Sequence, residues 1–316
     1  MGKKVTIIGA GSVGSTIAYT MAVNGIATEI VMIDINEAKA MGEALDIRQG
    51  VPFCPPVSIY TGSYPEAENS DIVILTSGVA RKPGQSRLEL AQTNVNITKA
   101  IIPQIVKYAP NAIYIIVSNP VDILTYVFNK VSGLPEKHII GSGTILDTAR
   151  LRARIAEYYN INQQNVHAYV FGEHGDSSFV PWSLGNISNI PIDRYAESLT
   201  NADMMEPKLV HSEVETYIRK SGGKIIERKG ATFYAVAVSV CHICKCIFSG
   251  ADTTMTVSTM MHDEYEGIDD ICLSTLTIVG ADGIAGKIVA PLTPEEELAL
   301  SKSAASLRAV INGIQL

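Results

Sequence analysis

The chain has 316 residues, of which 47% are hydrophobic and 18% charged, and its formal net charge is −7 at pH 7. This length favours about two domains over a single core, and the composition excludes long disordered spans. No block of lysine and arginine is present to neutralise phosphates, and no apolar run is long enough to span a bilayer, so we expect neither a nucleic-acid nor a membrane partner.

The chain opens with an apolar, β-rich run that breaks into a glycine-rich turn and continues as a helix. The pattern predicts a strand over Lys4–Ile8, a turn with the sequence GAGSVG, and a helix over Ser12–Asn24 that ends at Gly25. In a dinucleotide-binding turn the first glycine permits the tight bend, the second leaves room for the pyrophosphate, and the third lets the helix pack closely on the strand. The helix N-terminal amides would face the phosphates. The candidate cofactor-binding residues of this turn are Gly9, Gly11, Val13 and Gly14.

An acidic residue follows the second predicted strand. The strand, Glu29–Ile33, delivers Asp34 twenty residues after Gly14. A carboxylate at this spacing accepts hydrogen bonds from ribose hydroxyls and repels a 2′-phosphate, which favours NAD over NADP. The alternative is a Rossmann-like unit that binds another nucleotide or none, because the glycine pattern alone recurs by chance.

Over the first 140 residues, apolar runs alternate with helical segments. This alternation is the signature of βαβ units and a parallel sheet. Ligands of such sheets bind at the carboxyl ends of the strands, where Gly78 and Asn119 lie. We therefore predict an α/β fold in two parts, a doubly wound parallel Rossmann domain over 1–142 and a mixed α+β catalytic domain over 143–316. The predicted strands after the second are Val57–Tyr60, Asp71–Thr76 and Ala112–Ser118.

A polar loop follows the fourth predicted strand. It runs from Gly78 to Arg87 with the sequence GVARKPGQSR, and it precedes a long amphipathic helix from about Leu88 to Tyr108. A loop of this composition can open and close over a bound ligand. Its two arginines of interest are Arg81 and Arg87.

The pattern changes in the second half of the chain. The helix–helix region before the predicted antiparallel strands contains most of the cysteines, and its only CxxC, Cys241 to Cys244, lies within one predicted helix. Buried structural cysteines are therefore favoured over a metal site, and an odd set of five without a secretory signal favours a cytoplasmic protein. The predicted elements are the helix Thr144–Tyr159, the strand Asn165–Phe171, a helix–helix region from Ala202 to Phe248, strands over Ile268–Ile278 and Lys287–Val289, and a last helix opened by Thr293.

Polar residues at the ends of these elements could carry chemistry on a carbonyl group. His174 lies between glycines in the sequence GEHGD, and Asp147 and Arg150 are three apart on one helix face. A lone histidine is more often a structural one. Hydride transfer to a carbonyl, however, needs a proton donor, a group that polarises the oxygen and a clamp for substrate charge, and this set could provide all three.

The chain resembles the L-lactate/malate dehydrogenase superfamily over essentially its whole length. The resemblance implies that His174 donates and accepts the proton and that Asp147 holds it. It also implies that Arg150 binds the substrate C1 carboxylate, that Arg87 polarises the reacting carbonyl, and that Asn119 orients substrate and cofactor. The five features that carry it, in the order and spacing of the family, are GAGSVG, Asp34, SNPVD, LDTARLR and GEHGD.

Two parts of the chain disagree about the substrate. The motifs of the second half, and Thr232 on the expected pocket wall, resemble bacterial L-lactate dehydrogenases. At the position of Arg81, lactate dehydrogenases usually carry glutamine and malate dehydrogenases arginine. At the position of Gln85, lactate dehydrogenases often carry an acidic residue. Because Arg81 would face the substituent on the third substrate carbon, we expect a malate dehydrogenase of the bacterial, lactate-dehydrogenase-like type that interconverts (S)-malate and oxaloacetate. The alternatives are an L-lactate dehydrogenase and, more remotely, a non-catalytic NAD-binding protein of this fold.

The resemblance also bears on assembly and regulation. It implies a homo-oligomer, for which we expect a tetramer. Arg152 and His167 match the positions at which bacterial lactate dehydrogenases bind fructose 1,6-bisphosphate at a subunit interface. The alternative for this pair is ordinary surface or interface polarity.

Overall fold

The computed structural model describes residues 2–79, 87–200 and 209–316. In the first half, parallel strands form a sheet in the order β3-β2-β1-β4-β5-β6, the doubly wound order of dinucleotide-binding domains. Four helices connect them: α1 Ser12–Asn24, α2 Glu37–Gly50, α3 Arg87–Tyr108 and α4 Val121–Ser132. The strands are β1 Lys4–Ile8, β2 Glu29–Ile33, β3 Ser58–Thr61, β4 Ile72–Leu75, β5 Ile113–Ile116 and β6 Ile139–Gly141.

The second half of the chain contains six strands and five helices among the described residues. Its strands are β7 Val166–His167, β8 Asn186–Ile187, β9 Ile190–Pro191, β10 Thr253–His262, β11 Asp269–Gly280 and β12 Gly283–Lys287. Its helices are α5 Ile145–Tyr159, α6 Ile192–Tyr195, α7 His211–Lys229, α8 Tyr234–Ser249 and α9 Pro294–Gly313.

The large sheet continues from one half of the chain into the other. β10 lies antiparallel beside β6, where Ser258 pairs with Gly141, and β11 and β12 follow outward. A Cβ on Gly141 would lie 2.3 Å from Thr125 Oγ1 and 2.8 Å from the Ser258 Cβ, so only glycine fits this junction. Nine of the described strands thereby form one mixed sheet, and β7, β8 and β9 form a separate small one.

The central strands are apolar because helices cover both faces of the sheet. All residues of β4 and β5 are buried, as are four of the five in β1 and in β2, and continuous burial of this kind is typical of parallel strands. Helix α1 ends where Gly25 takes a left-handed conformation, with φ of 61°. Helix α9 begins with a capping box in which Thr293 and Glu296 bond each other's backbone N–H groups.

Two predicted strands of the second half differ from the structure, and one observed strand was not predicted. The predicted strand Asn165–Phe171 is only Val166–His167, because side chains of α5 take the backbone groups of Val170: Thr148 Oγ1 accepts its N–H at 2.9 Å and the Thr144 hydroxyl donates to its carbonyl at 2.5 Å. The last predicted strand ends at Lys287 rather than beginning there. The strand β10 was not predicted, because its residues from Met255 to Met261 are buried on both faces and show no alternation.

Candidate active site

The glycine-rich turn between β1 and α1 is shaped by close backbone contacts. Gly9 has φ of 108°, and its N–H donates to the Ile33 carbonyl at 2.7 Å. A Cβ on Gly14 would lie 1.9 Å from the Gly9 carbonyl oxygen, so the turn and the helix can approach only without side chains. A Cβ on Gly11 would meet no atom within 4 Å. The protein itself therefore leaves room at Gly11, on the side where a pyrophosphate would approach the helix N-terminus.

Asp34 is fixed at the end of β2 by two backbone N–H groups. Its Oδ2 accepts from Ala10 of the glycine-rich turn at 2.6 Å, and its Oδ1 accepts from Asn36 at 2.8 Å. Each carboxylate oxygen can accept more than one hydrogen bond, so both can still receive ribose hydroxyls. This donor and acceptor set fits the adenosine half of NAD, and the charge of the Asp34 carboxylate would repel a 2′-phosphate.

A cleft of about 520 Å³ extends from this turn to α5 and α7. It brings together residues from widely separated parts of the chain, as the sequence predicts. The predicted residues that line it are Val13, Gly78, Asn119, Asp147, Arg150, His174 and Thr232. Arg81 and Gln85 lie outside the described residues, and of Arg87 the structure describes only the backbone, as the first residue of α3.

Asp147, Arg150 and His174 form one ionic group at the centre of the cleft. Asp147 lies in the first turn of α5 and is buried, with Oδ2 2.5 Å from His174 Nδ1 and Oδ1 2.9 Å from Arg150 Nη1. Both carboxylate oxygens thus bond a group that can be positively charged. His174 is the most exposed of the three, with 26% of its side-chain surface accessible, so its imidazole can reach a ligand in the cleft.

The charges of this group perturb each other's protonation. The negative charge of Asp147 raises the pKa of His174 from its ordinary 6.5 to about 9, although burial and Arg150 oppose the change. Burial alone would raise the pKa of Asp147, but His174 and Arg150 outweigh it and hold that pKa below its ordinary value. The group therefore holds an ionised carboxylate and a protonated imidazole at neutral pH, which is the state required of a proton donor.

Asn94, which the sequence did not single out, joins the two strand ends that lie under the cleft. It is buried on α3, its Oδ1 accepts the Val79 N–H at 2.9 Å, and its Nδ2 donates to the Asn119 carbonyl at 2.7 Å. The turns that follow β4 and β5 are thereby held in register. A buried asparagine on an amphipathic helix is the signal that could have identified it.

Helix α7 contributes a second set of residues that the sequence did not single out. The guanidinium of Arg219 donates to the Ser178 carbonyl at 2.9 Å and to Glu215 at 3.1 Å. A Cβ on Gly222 would lie 3.8 Å from Arg150 Nη2, so α7 passes directly beside the Arg150 guanidinium. Only proximity in the folded chain reveals these residues, because α7 begins 52 positions after α5 ends.

The two residues predicted to bind a bisphosphate are close together, away from the cleft. Arg152 Nε donates to the carbonyl of Val166 at 2.6 Å, directly before the exposed His167. On α8, the cysteines at 241, 244 and 246 are buried, and Cys246 Sγ lies 3.8 Å from His242 Nε2 on the same helix face. Among the described residues there is no group of three or more metal-binding side chains.

Comparison with known proteins agrees with this architecture. Residues 3–141 match the NAD binding domain of lactate/malate dehydrogenases, and residues 144–315 match the alpha/beta C-terminal domain of the same family. The chain therefore belongs to the lactate/malate dehydrogenase family. It is an NAD-dependent 2-hydroxy acid dehydrogenase with a Rossmann cofactor domain and an α/β C-terminal domain.

Individual relatives are similar over nearly the whole chain. An L-lactate dehydrogenase of Acetivibrio thermocellus is 44% identical over 99% of this chain and 98% of its own, and one of Clostridium botulinum is 46% identical over 98% and 96%. The crystal structure of the minor L-lactate dehydrogenase of Enterococcus mundtii superposes with a TM-score of 0.93 at 38% identity, covering 100% of this chain and 99% of that one. In the described residues no helix is both long and apolar enough to cross a bilayer.

Proposed function

We propose that the protein is an L-lactate dehydrogenase that reduces pyruvate with NADH and oxidises L-lactate with NAD. This corrects the order of the two substrates expected from the sequence, where malate came first. The observation that carries the proposal is the 44–46% identity, over nearly the whole chain, to proteins named L-lactate dehydrogenase. The described part of the cleft agrees with it, because Arg150 can bind one substrate carboxylate.

The cations of the cleft differ in what they already bind. Among the described side chains lining it, the cations are Arg150, Arg219 and the protonated His174. Arg219 is committed to Glu215 and to the Ser178 carbonyl. Arg150 bonds Asp147 through Nη1 alone, so the other edge of its guanidinium can bind a substrate carboxylate in the bidentate manner typical of arginine. A monocarboxylate such as pyruvate needs one such partner, whereas oxaloacetate needs a second.

The mechanism follows from the protonation state of His174. Bound NADH supplies the hydride. The Nε2 proton of His174 is donated to the carbonyl oxygen of the substrate, and Asp147 stabilises the imidazolium until that transfer. We assign Arg150 to the C1 carboxylate, Arg87 to polarisation of the carbonyl, and Asn119 to orientation of substrate and nicotinamide. We assign Thr232 to the wall of the substrate pocket. In the reverse direction, neutral His174 accepts the proton of the substrate hydroxyl.

The nucleotide side of the site completes the assignment. We infer that NAD is bound by the glycine-rich turn and Asp34 of the first half, residues 1–142, and that the substrate is bound mainly by the second half, residues 143–316. The fit of Gly11 to a close pyrophosphate and of Asp34 to ribose hydroxyls supports this division. Val13 and Gly78 of the first half line the same cleft as the proposed substrate-binding residues.

A second candidate function, malate dehydrogenase, is favoured by one specific residue. Arg81 follows β4 in the sequence, and a guanidinium about 4 Å from a second substrate carboxylate would gain on the order of 4 kcal/mol at an effective dielectric near 20. Desolvation offsets part of this gain. Pyruvate has no second carboxylate to pair with Arg81, so this gain exists only for oxaloacetate.

A direct comparison of the two substrates decides between them. We measure NADH oxidation with pyruvate and with oxaloacetate on the wild type and on Arg81→Gln. The lactate proposal predicts a higher kcat/KM for pyruvate in the wild type and a further gain for pyruvate in the variant. A wild-type preference for oxaloacetate that Arg81→Gln lowers by tenfold or more would establish malate instead, and Arg48→Gln on the remote helix α2 is the matched charge control.

We also propose that the protein is a homo-oligomer, and a tetramer, with a bisphosphate site at Arg152 and His167. Large apolar side chains are exposed together on three helices, as expected for a surface that another copy covers. Sedimentation and the rate of pyruvate reduction, each measured with and without fructose 1,6-bisphosphate, test both points. A monomer would contradict the first. A mass and a reaction rate that fructose 1,6-bisphosphate leaves unchanged would contradict the second. The exposed side chains are Tyr19 and Val23 on α1, Met41 and Leu45 on α2, and Tyr234 and Val238 on α8.

A further inference from the structure

We propose that Asp122 is a positioning residue for His174: its carboxylate holds the backbone of the catalytic loop, the segment 172–176 that carries His174, and places a second negative charge beside the imidazole. The inference deepens the proposed function and rests on it for the role of His174. Asp122 is buried, with 2% of its surface accessible, and its Oδ2 accepts the backbone N–H of His174 at 2.8 Å. Asp147 bonds the ring of the same histidine, so two carboxylates act on one residue from different sides.

Asp122 connects the turn after β5 with the loop that carries His174. It lies in the first turn of α4, three residues after Asn119 at the end of β5. The loop that carries His174 is held on its other side by neutral groups, since Gly172 pairs with the backbone of Ser274 and the Glu173 N–H donates to the Ser303 hydroxyl at 2.8 Å. Among these anchors the His174 N–H is the one bonded to a carboxylate.

The second carboxylate oxygen of Asp122 indicates that its negative charge, and not only its hydrogen bond, acts on His174. Asp122 Oδ1 accepts no hydrogen bond of good geometry from the described residues; the hydroxyl of Ser258 on β10, which also has no well-formed bond, lies close enough to lower the pKa of Asp122. Burying a carboxylate with so weak a partner on its second oxygen is unfavourable, and an asparagine could accept the same N–H bond without burying a charge. The observation is therefore explained if the charge itself acts on His174.

The groups that face Asp122 come from four elements. Burial, with a smaller contribution from Glu173, raises the pKa of Asp122 to about 6, although hydrogen bonds from Ser258 and the His174 backbone and the charge of His174 oppose the change. From β11, the buried Cys272 faces it as a neutral thiol whose own pKa burial and Asp122 raise. The helix N-terminus of α4 favours the ionised form. Asp122 in turn contributes to the raised pKa of His174, together with the larger effect of Asp147.

The test compares Asp122→Asn with the wild type. The asparagine keeps the size and an acceptor for the His174 N–H but removes the charge. We expect the alkaline limb of kcat/KM for pyruvate reduction to move to lower pH by about one unit, with NADH affinity unchanged. Asp71→Asn is the matched control, because Asp71 accepts the Lys4 N–H at 2.7 Å at the opposite end of the sheet. A profile of Asp122→Asn that superposes on the wild type would overturn the proposal.

A second measurement needs neither a variant nor a substrate. The imidazole resonances of His174 in the wild-type protein should titrate in two steps, a smaller one near pH 6 from Asp122 and a larger one near pH 9 from the ring itself. No inflection near pH 6 would overturn the charge role even if Asp122→Asn failed to fold. Since no substrate is present, this result stands whether pyruvate or oxaloacetate is reduced, and it separates failure of this inference from failure of the proposed function.

Discussion

The glycine-rich turn and the catalytic cleft are neighbours that are built on different physical principles. In the turn, positions are decided by backbone contact distances, such as the 1.9 Å that a Cβ on Gly14 would leave to the Gly9 oxygen. In the cleft, they are decided by charge, since Asp147 bonds both Arg150 and His174. Changes in the turn should therefore alter stability and cofactor affinity at any pH, and changes in the cleft should alter turnover and its pH dependence.

The largest effect is expected in the cleft. His174→Ala removes the proposed proton donor, so turnover should fall by about 100- to 10,000-fold while NADH affinity stays within a few-fold of the wild type. Steady-state kinetics and fluorescence titration of NADH measure the two quantities. Loss of turnover and NADH affinity together would show that the two regions are not separable.

In the turn, two alanine variants of similar chemistry should behave differently. Gly14→Ala forces a Cβ against the Gly9 carbonyl and should destabilise the fold by about 1–3 kcal/mol, lowering the midpoint of thermal unfolding. Gly11→Ala meets no protein atom within 4 Å. It should leave that midpoint unchanged and weaken NADH binding instead. Equal unfolding midpoints for the two variants would mean that backbone contact does not shape the turn.

The smallest effect is expected for cofactor selection. Asp34→Asn keeps an acceptor for the Ala10 N–H and removes the charge that repels a 2′-phosphate, so the preference for NADH over NADPH should fall by about tenfold. Asp34→Ser, which is shorter, should relax the preference similarly and also weaken NADH binding. An unchanged ratio of the two dissociation constants would leave Asp34 as a purely structural residue of the turn.

The sequence predicted local features better than features that depend on contacts between distant segments. β1, α1 and β2 have the predicted bounds, because an apolar run, a glycine turn and Gly25 are all local signals. The long β10 was missed because a strand buried on both faces shows no alternation. The order of the parallel strands follows the Rossmann pattern, but their continuation into β10, β11 and β12 depends on the single junction at Gly141.

The same distinction holds for the site. His174, Asp147 and Arg150 belong to recognisable motifs, and the structure brings them within hydrogen-bond distance. Asp122 is the last residue of the motif SNPVD, yet its contact with the His174 backbone spans 52 positions and has no local signature. The roles of Arg81 and Arg87 stay predictions, since no described side chain tests them.

The pH dependence of pyruvate reduction tests the central claim, that charge in the cleft sets the chemistry, most directly. In the proposed mechanism reduction needs protonated His174, and Asp147 raises the pKa of that residue to about 9, so kcat/KM should be level at neutral pH and fall as pH rises through about 9. In Asp147→Asn the fall should move down by at least about one unit. A wild-type fall near the ordinary histidine value of 6.5, or an identical profile in Asp147→Asn, would contradict it.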